Sequence, residues 1–341
     1  MVDERKLQAL LEPGERERPT LKTIARISGL AVPTVSRALS DAPDIGRDTK
    51  RRVRELADQL GYRPNRAGLR LRTGKTNVIA LILRTEDDVM SHASRLITAI
   101  ASELRETAYH VIITPYFPDE DPVAPVRYIA RTGSADGVVL NRIQPRDPRI
   151  QFLRDRKIPF AMHGRTTDCE TAPYYDFDNS AFGRLAVGRL AARGRRDMLL
   201  VAPPQDQNYA LEMIRGATEA GARANLKVHV LKEASSDSPS AQVRAATRAH
   251  LERHPEVDAI MTASVPSAVA ATLGAEAAGR IIGADLDMIS KESLPFLKDF
   301  RREIMVIEEN VIEAGQFLAR AIIQAIDEPE KPPMQKLVAP T

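Results

Sequence analysis

Thr23, Val32, Pro33, Thr34, Ser36 and Arg37 fall within fifteen residues of one another near the start of the chain. Their types suit contact with the base edges or phosphates of a duplex, provided that a helix presents them outward. The residues between them supply that helix. Ile24, Ala25 and Ile27 form an apolar helical stripe, and Ala25 is small where a second helix must cross closely. Gly29 permits the positive φ of a tight turn. Val35 and Leu39, four apart, are expected to pack the second helix back on the first. That leaves Val32, Pro33, Thr34, Ser36 and Arg37 on the outer face or at the N-terminal end. The pattern is that of a helix-turn-helix. The plainer reading of the same residues is a small helical bundle with a solvated basic face.

Charge separates the two ends of the chain. Residues 20–76 hold thirteen Lys and Arg against five acids, a net +8, whereas the whole chain is only +3, so the remainder carries −5. A basic module joined to an acidic body suggests that one end meets polyphosphate and the other does not.

A second set of chemistry-bearing residues follows a different scaffold. Apolar runs at 78–83, 111–114, 137–140, 158–162, 198–201, 228–231, 259–262 and 288–289 alternate with amphipathic helical stretches. A strand is also expected at 305–307, and a last helix at 312–326 returning to the first lobe. Strands alternating with helices mean βαβ units and parallel sheets, with helices on both faces. Roughly 250 residues of this pattern favour two sheets side by side. The break is expected at 165–180, where Pro173 and an Asp176–Asn179 turn interrupt the series. Two such lobes bind small molecules in the crevice facing the carboxyl ends of their strands. The polar residues just past each run are Arg84, Thr85, Asn141, Arg165, Asp178, Asn208, Ser264 and Glu292. Arg, Asp and Asn offer the paired donors and acceptors that vicinal hydroxyls match. Each has a plainer role open to it. Arg165 can bridge to Asp168 or Glu170, Asp178 can cap the next helix, and Lys291 with Glu292 can be a solvated pair. Phe117, Tyr128, Phe177 and Tyr209 are candidates for stacking on a sugar ring.

Catalytic signatures are missing from the sequence. No G-x-G-x-x-G opens a helix after the first strand, and there is no Walker A sequence or nucleophile elbow. His250 and His254, four apart, lack metal-ligand partners at suitable spacing and read as a surface pair. No catalytic residue, metal or cofactor is therefore expected. The single cysteine, Cys169, excludes a disulfide framework, and no apolar run is long enough to span a membrane. A cytoplasmic protein is expected.

The first segment resembles the headpiece of the LacI/GalR family of bacterial transcription regulators. Ile24, Ala25, Gly29, Thr34, Val35, Ser36, Arg37 and Leu39 match its helix-turn-helix pattern. Leu60, Gly61, Tyr62, Pro64 and Asn65 match "L-G-Y-x-P-N", and Leu71, Arg72, Thr73, Gly74 and Thr76 match the hinge. The details are similar to the subgroup that regulates α-glucoside utilisation in rhizobia. The resemblance implies an all-α headpiece followed by a periplasmic-binding-protein-like α/β core of two doubly wound subdomains. It implies a repressor, active as a homodimer on a pseudo-palindromic operator and controlled by a sugar or sugar derivative. Asn65, Arg66 and Leu71 join the DNA-contacting set, and Leu71 is expected to wedge into the central base step from a hinge that becomes helical on DNA. Arg165, Asp178 and Glu292 fall on family effector positions, although Ser290-Lys291-Glu292 replaces the usual "G-F-D". The alternative is a periplasmic-type sugar-binding protein without a DNA role. The expected organisation is a tail at 1–19, helix-turn-helix at 20–63, hinge at 64–76, core at 77–330 and tail at 331–341. Two departures bear on capping: Ala31 and Gly46 stand where Ser is usual at helix starts, with Pro33 offsetting the first.

Overall fold

A computed structural model of the chain describes residues 19–62, 74–85, 90–117 and 119–341. The chain divides into two compact units, Met1–Thr76 and Asn77–Thr341.

The first unit is helical among its described residues: α1 (Leu21–Ser28), α2 (Val32–Leu39) and α3 (Arg47–Gln59). Thr20 opens α1 through a capping box with Thr23, and Gly29 closes it at φ 72°. Neither Ala31 nor Gly46 gives α2 or α3 a side-chain cap. Pro33 sits in the first turn of α2, where its missing amide costs nothing. Ile24, Ala25, Val35, Ala38, Val53, Leu56 and Ala57 form the core between the three helices. Val35 and Leu39 both pack there, Val35 fully buried and Leu39 partly, with Ala38 fully buried beside them.

The second unit is two parallel sheets with helices on their faces. The elements of the first half are β1 (Val78–Arg84), α4 (Met90–Leu104), β2 (His110–Tyr116), α5 (Ala124–Thr132), β3 (Gly137–Leu140), α6 (Pro148–Asp155), β4 (Phe160–His163) and β5 (Tyr174–Phe177). The second half runs α7 (Asn179–Ala192), β6 (Asp197–Val201), α8 (Asn208–Ala224), β7 (Lys227–Val230), α9 (Ser240–Arg253), β8 (Ala259–Thr262), α10 (Val265–Ala277), β9 (Asp287–Glu292), α11 (Leu297–Phe300) and β10 (Met305–Glu308). The chain then returns through α12 (Val311–Asp327) and β11 (Gln335–Val338). Strand order is β11-β5-β4-β3-β1-β2 in one lobe and β10-β9-β8-β6-β7 in the other. Every strand pairing is parallel, and the inner strands are buried on both faces, which is why they read as continuous apolar runs. No described helix is long and apolar enough to cross a membrane.

Helix α12 packs on α4 and against β3, β4 and β5, so it belongs to the first lobe. Gly315 permits that crossing, because a Cβ there would lie 2.5 Å from Ala99 Cβ. Two expectations are corrected. Residues 174–177, read as part of an interrupting turn, are a strand inserted between β4 and β11. The expected tail at 331–341 contains β11, whose backbone completes the edge of the first sheet.

Candidate functional site

In the helical unit, α2 carries Val32, Pro33 and Arg37 exposed, with Thr34 and Ser36 half-buried beside them. Arg37 pairs with Asp44 at 2.6 Å, and both side chains remain about half-exposed (58% and 46%). An exposed pair of this kind is weak, so a phosphate or a guanine edge can displace the aspartate. Basic side chains on α3 are held in place around it: Arg54 and Lys50 on Asp41, and Arg52 on the carbonyl of Ser28. Thr23 does not join this face. It is fully buried, and its hydroxyl accepts the amide of Thr20 to fix the start of α1. Asn65, Arg66 and Leu71 lie outside the described residues.

In the second unit, the ends of both sheets face an open cavity of about 1010 Å³, solvent at its mouth included. The first lobe contributes His92 from the first turn of α4, Asn141 and Arg142 after β3, His163 and Gly164 at the end of β4, and Asp176 and Phe177 from β5. The second contributes Asn179, Tyr209, Ser236, Asp237, Ser264, Pro266 and Lys291. Glu309 enters from the segment between β10 and α12.

Of the eight polar residues singled out in the sequence, Asn141 and Ser264 line this cavity and six do not, Arg84 lining a smaller pocket instead; the stacking candidates Phe177 and Tyr209 also line the cavity. Thr85 donates its hydroxyl to the Tyr116 carbonyl. Arg165 is drawn to Asp176 at 2.8 Å, rather than to Asp168 or Glu170, so its carboxylate partner faces the cavity in its stead. Asp178 accepts the amide of Ala181 and caps α7. Asn208, buried at the start of α8, donates its amide to the Ile143 carbonyl of the opposite lobe. Glu292 is buried and accepts the amides of Phe296 and Leu297, both at 2.6 Å, so it caps α11. Neither Lys291 nor Glu292 is a solvated surface residue.

Sequence reasoning passed over Lys291, Glu309, His92, His163, Asp176 and Asn179. Lys291 is the hub among them. Its ammonium lies 2.9 Å from Glu309 Oε2, donates to Asn179 Oδ1 at 3.2 Å, and sits over the rings of Phe177 (5.3 Å) and Tyr209 (5.5 Å). Its place in the motif was visible as a cation where the family has an apolar residue; its burial was not. Burial alone would raise the Glu309 carboxyl, but the Lys291 ammonium together with His92 and His163 outweighs it and holds the group at about 2. Burial lifts Asp176 to about 6 despite its bond to Arg165. The His92 and His163 rings stand 5.3 Å apart. Burial, reinforced by the neighbouring His92, pushes His163 down to about 3, with Glu309 and Lys291 acting in opposite directions.

That shift predicts a pH dependence. Between the ordinary value of 6.5 and about 3, the unfolded chain takes up a proton that folded His163 refuses. Stability contributed by the neutral ring is therefore complete above pH 6.5 and is lost as the pH falls. The slope is at most about 1.4 kcal/mol per pH unit for each such group. His163→Gln should make urea-unfolding free energies less steep between pH 6.5 and 5; an unchanged slope would show that the ring is not held neutral.

A second histidine grouping lies away from the cavity. His229, His250 and His254 have ring centroids 4.6–5.6 Å apart, and His250 is buried rather than on the surface. Among the described residues, no three His, Cys, Asp or Glu side chains are arranged to hold a metal ion.

Both units match known families. Residues 20–65 match the family of bacterial regulatory proteins of the lacI type, and residues 76–335 match the periplasmic binding proteins and sugar binding domain of the LacI family. The HTH-type transcriptional regulator AglR of Rhizobium meliloti (strain 1021) is 31% identical over 313 residues, 90% of this chain and 87% of that protein. The regulator CelR of Thermobifida fusca is 26% identical over 91% of this chain and 93% of its own. Among solved structures, the transcriptional regulator CelR–cellobiose complex superposes with a TM-score of 0.69 at 25% identity, covering 95% of this chain and 98% of that one. The Lac repressor dimer bound to operator and the anti-inducer ONPF has the same fold, with a TM-score of 0.79 at 17% identity over 95% and 97% of the two chains. A helix-turn-helix and a two-lobed binding core thus follow one another along a single chain in the family's order: the protein belongs to the LacI family of DNA-binding transcriptional regulators.

Proposed function

We propose that the protein is a repressor that binds a pseudo-palindromic operator as a homodimer in the cytoplasm, and that a sugar held between its core lobes sets its operator affinity. It acts by binding, not by catalysis. The observation that carries this reading is the cavity between the lobes. Asn141, Asp176, Asn179, Asp237, Ser264 and Glu309 offer hydroxyl-matching groups there, on the same chain as an exposed α2 bearing Arg37. The cellobiose in the CelR complex supports a sugar as the ligand class. The exposed Ile113 and Phe117, on and just after edge strand β2, support a self-associating surface on the first lobe. A periplasmic binding protein has no use for the basic headpiece.

A gel-shift assay on the chain's own promoter region, with sugars titrated in, tests the reading. Retarded DNA that is released or tightened by a sugar is the expected result; no retardation at low salt would overturn it. In the same assay Arg37→Ala should lower operator affinity by roughly 1–3 kcal/mol. Sugar affinity measured without DNA should be unchanged. Undiminished operator binding would remove Arg37 from the recognition face.

A further inference from the structure

The charges in the cleft are already spoken for, and that restricts what can enter. Arg142 faces Asp237 across the two lobes at 3.0 Å, with 11% and 14% of their side chains exposed. Lys291 faces Glu309 at 2.9 Å, with 9% and 7% exposed. Asp176 is held by Arg165 at 2.8 Å. The two cations lining the cavity therefore each have a carboxylate in contact, and each lining carboxylate has a cation. Burying a further anion would require one of these pairs to open in a poorly solvated place.

Two of the helix ends at the cavity offer an anion little substitute. The N-terminus of α10 borders the cavity through Ser264, Val265 and Pro266. Most of its first amides are consumed: Pro266 has none, Ser267 donates to Ser264 Oγ, and Ala268 donates to the Ser264 carbonyl, which leaves at most that of Val265 for a ligand. The N-terminus of α7, bordered by Asn179, is occupied by the Asp178 carboxylate. A phosphate-binding helix end needs free amides and no resident carboxylate.

Donor and acceptor supply points the same way. Asn141 is only 6% exposed, lines the cavity, and its side-chain oxygen has no hydrogen-bond partner. Asp176, Asp237 and Glu309 are further acceptors. A hydroxyl can donate to such groups; an ionised phosphate or carboxylate cannot.

Building on the sugar-effector reading above, we propose that this cleft selects an uncharged polyhydroxylated ligand over sugar phosphates and sugar acids, and that the Lys291–Glu309 and Arg142–Asp237 pairs set the choice. Lys291 also sits over one face of each of Phe177 and Tyr209, the phenyl and phenol rings that line the cavity. The ligand is therefore gripped chiefly through its hydroxyl groups.

Calorimetry on the full-length protein, without DNA, tests the proposal with two probe sets. Sucrose, maltose, trehalose, cellobiose and raffinose are the neutral set; glucose 6-phosphate, trehalose 6-phosphate and glucuronate are the charged set. At least one neutral sugar is expected to bind about tenfold or more tightly than any charged probe. A charged probe binding more tightly than every neutral one would overturn the proposal while leaving a sugar-controlled regulator intact. Binding by neither set would overturn the sugar reading itself. Glu309→Gln removes the counter-charge of Lys291 and should move the neutral-to-anionic affinity ratio about tenfold toward the anions. Asp237→Asn does the same for Arg142 at a more accessible position, so it serves if the first variant does not fold. A ratio unmoved in a folded variant would show that these pairs do not set the selectivity.

Discussion

Replacing Arg149 by methionine is expected to remove about 3–5 kcal/mol from the stability of the core. The guanidinium is buried with Asp147, the two side chains being 3% and 0% exposed, and the pair is bidentate: Nε to Oδ1 at 2.9 Å and Nη2 to Oδ2 at 2.6 Å. The same Nη2 reaches the carbonyls of Asn141 and Arg142, both at 3.0 Å. Asp147 in turn caps α6 through the Arg149 amide and accepts the amide of Gln144. One ion pair thus closes the loop that carries Asn141 and Arg142 into the cavity, with Arg142 held at φ 53°. Methionine leaves a buried carboxylate with two amides and two carbonyls with no donor. Lysine restores the charge but not the fork, so it should recover only part of the loss. Urea unfolding followed by far-UV circular dichroism measures both variants. A methionine variant within about 1 kcal/mol of wild type would show that the pair does not organise this loop.

This loop also shows where the sequence was legible and where it was not. The lobes were readable because their inner strands are buried on both faces and their helices are amphipathic. Strands β5 and β11 were not. Tyr174-Tyr-Asp-Phe follows Pro173 and contains a carboxylate, while β11 is a largely exposed edge of four residues with Gln335 and Lys336. Neither has an apolar run, and only long-range pairing makes them strands. The ends of the strands do face a cavity, but the residues chosen were often displaced from it by one or two positions. Lys291 lines the cavity where Glu292 was chosen, and Asp176 and Asn179 where Asp178 was, whereas Phe177 and Tyr209 had been named as stacking candidates and do line it. Along a strand, a step of one reverses the face to which a side chain points, and periodicity does not say which face meets the cleft. The short carboxylates at 178 and 292 were recruited to cap helices, which is local chemistry that the sequence did offer as the alternative for Asp178. His92 carried no signal at all, since nothing in its neighbours marks a helix start facing a pocket.

Gly216→Val is expected to destabilise the second lobe by roughly 3 kcal/mol or more, at the upper end for overpacking. Helices α7 and α8 cross with backbone against backbone. A Cβ on Gly216 would lie 2.1 Å from the Ser180 carbonyl oxygen and 2.8 Å from its carbon. On the other side of the crossing, a Cβ on Gly183 would meet Met213 O and Ala217 N at 2.6 Å. These obstacles are main-chain atoms, which cannot swing aside as a side-chain tip can, so the helices must separate. The consequence reaches the cleft because both helices begin there: Asn179 opens α7 and Tyr209 lies in the first turn of α8, on either side of Lys291. Sugar affinity should therefore fall along with stability. Gly188 is the control. It lies on α7 and is exposed, and a Cβ there meets nothing within 4 Å. Gly188→Ala should leave stability unchanged or raise it by up to about 1 kcal/mol, since alanine favours the helix. Thermal unfolding of the two variants side by side separates packing from helix propensity. If both glycines tolerate substitution equally, the close crossing of α7 and α8 is not what sets the geometry of this side of the cleft.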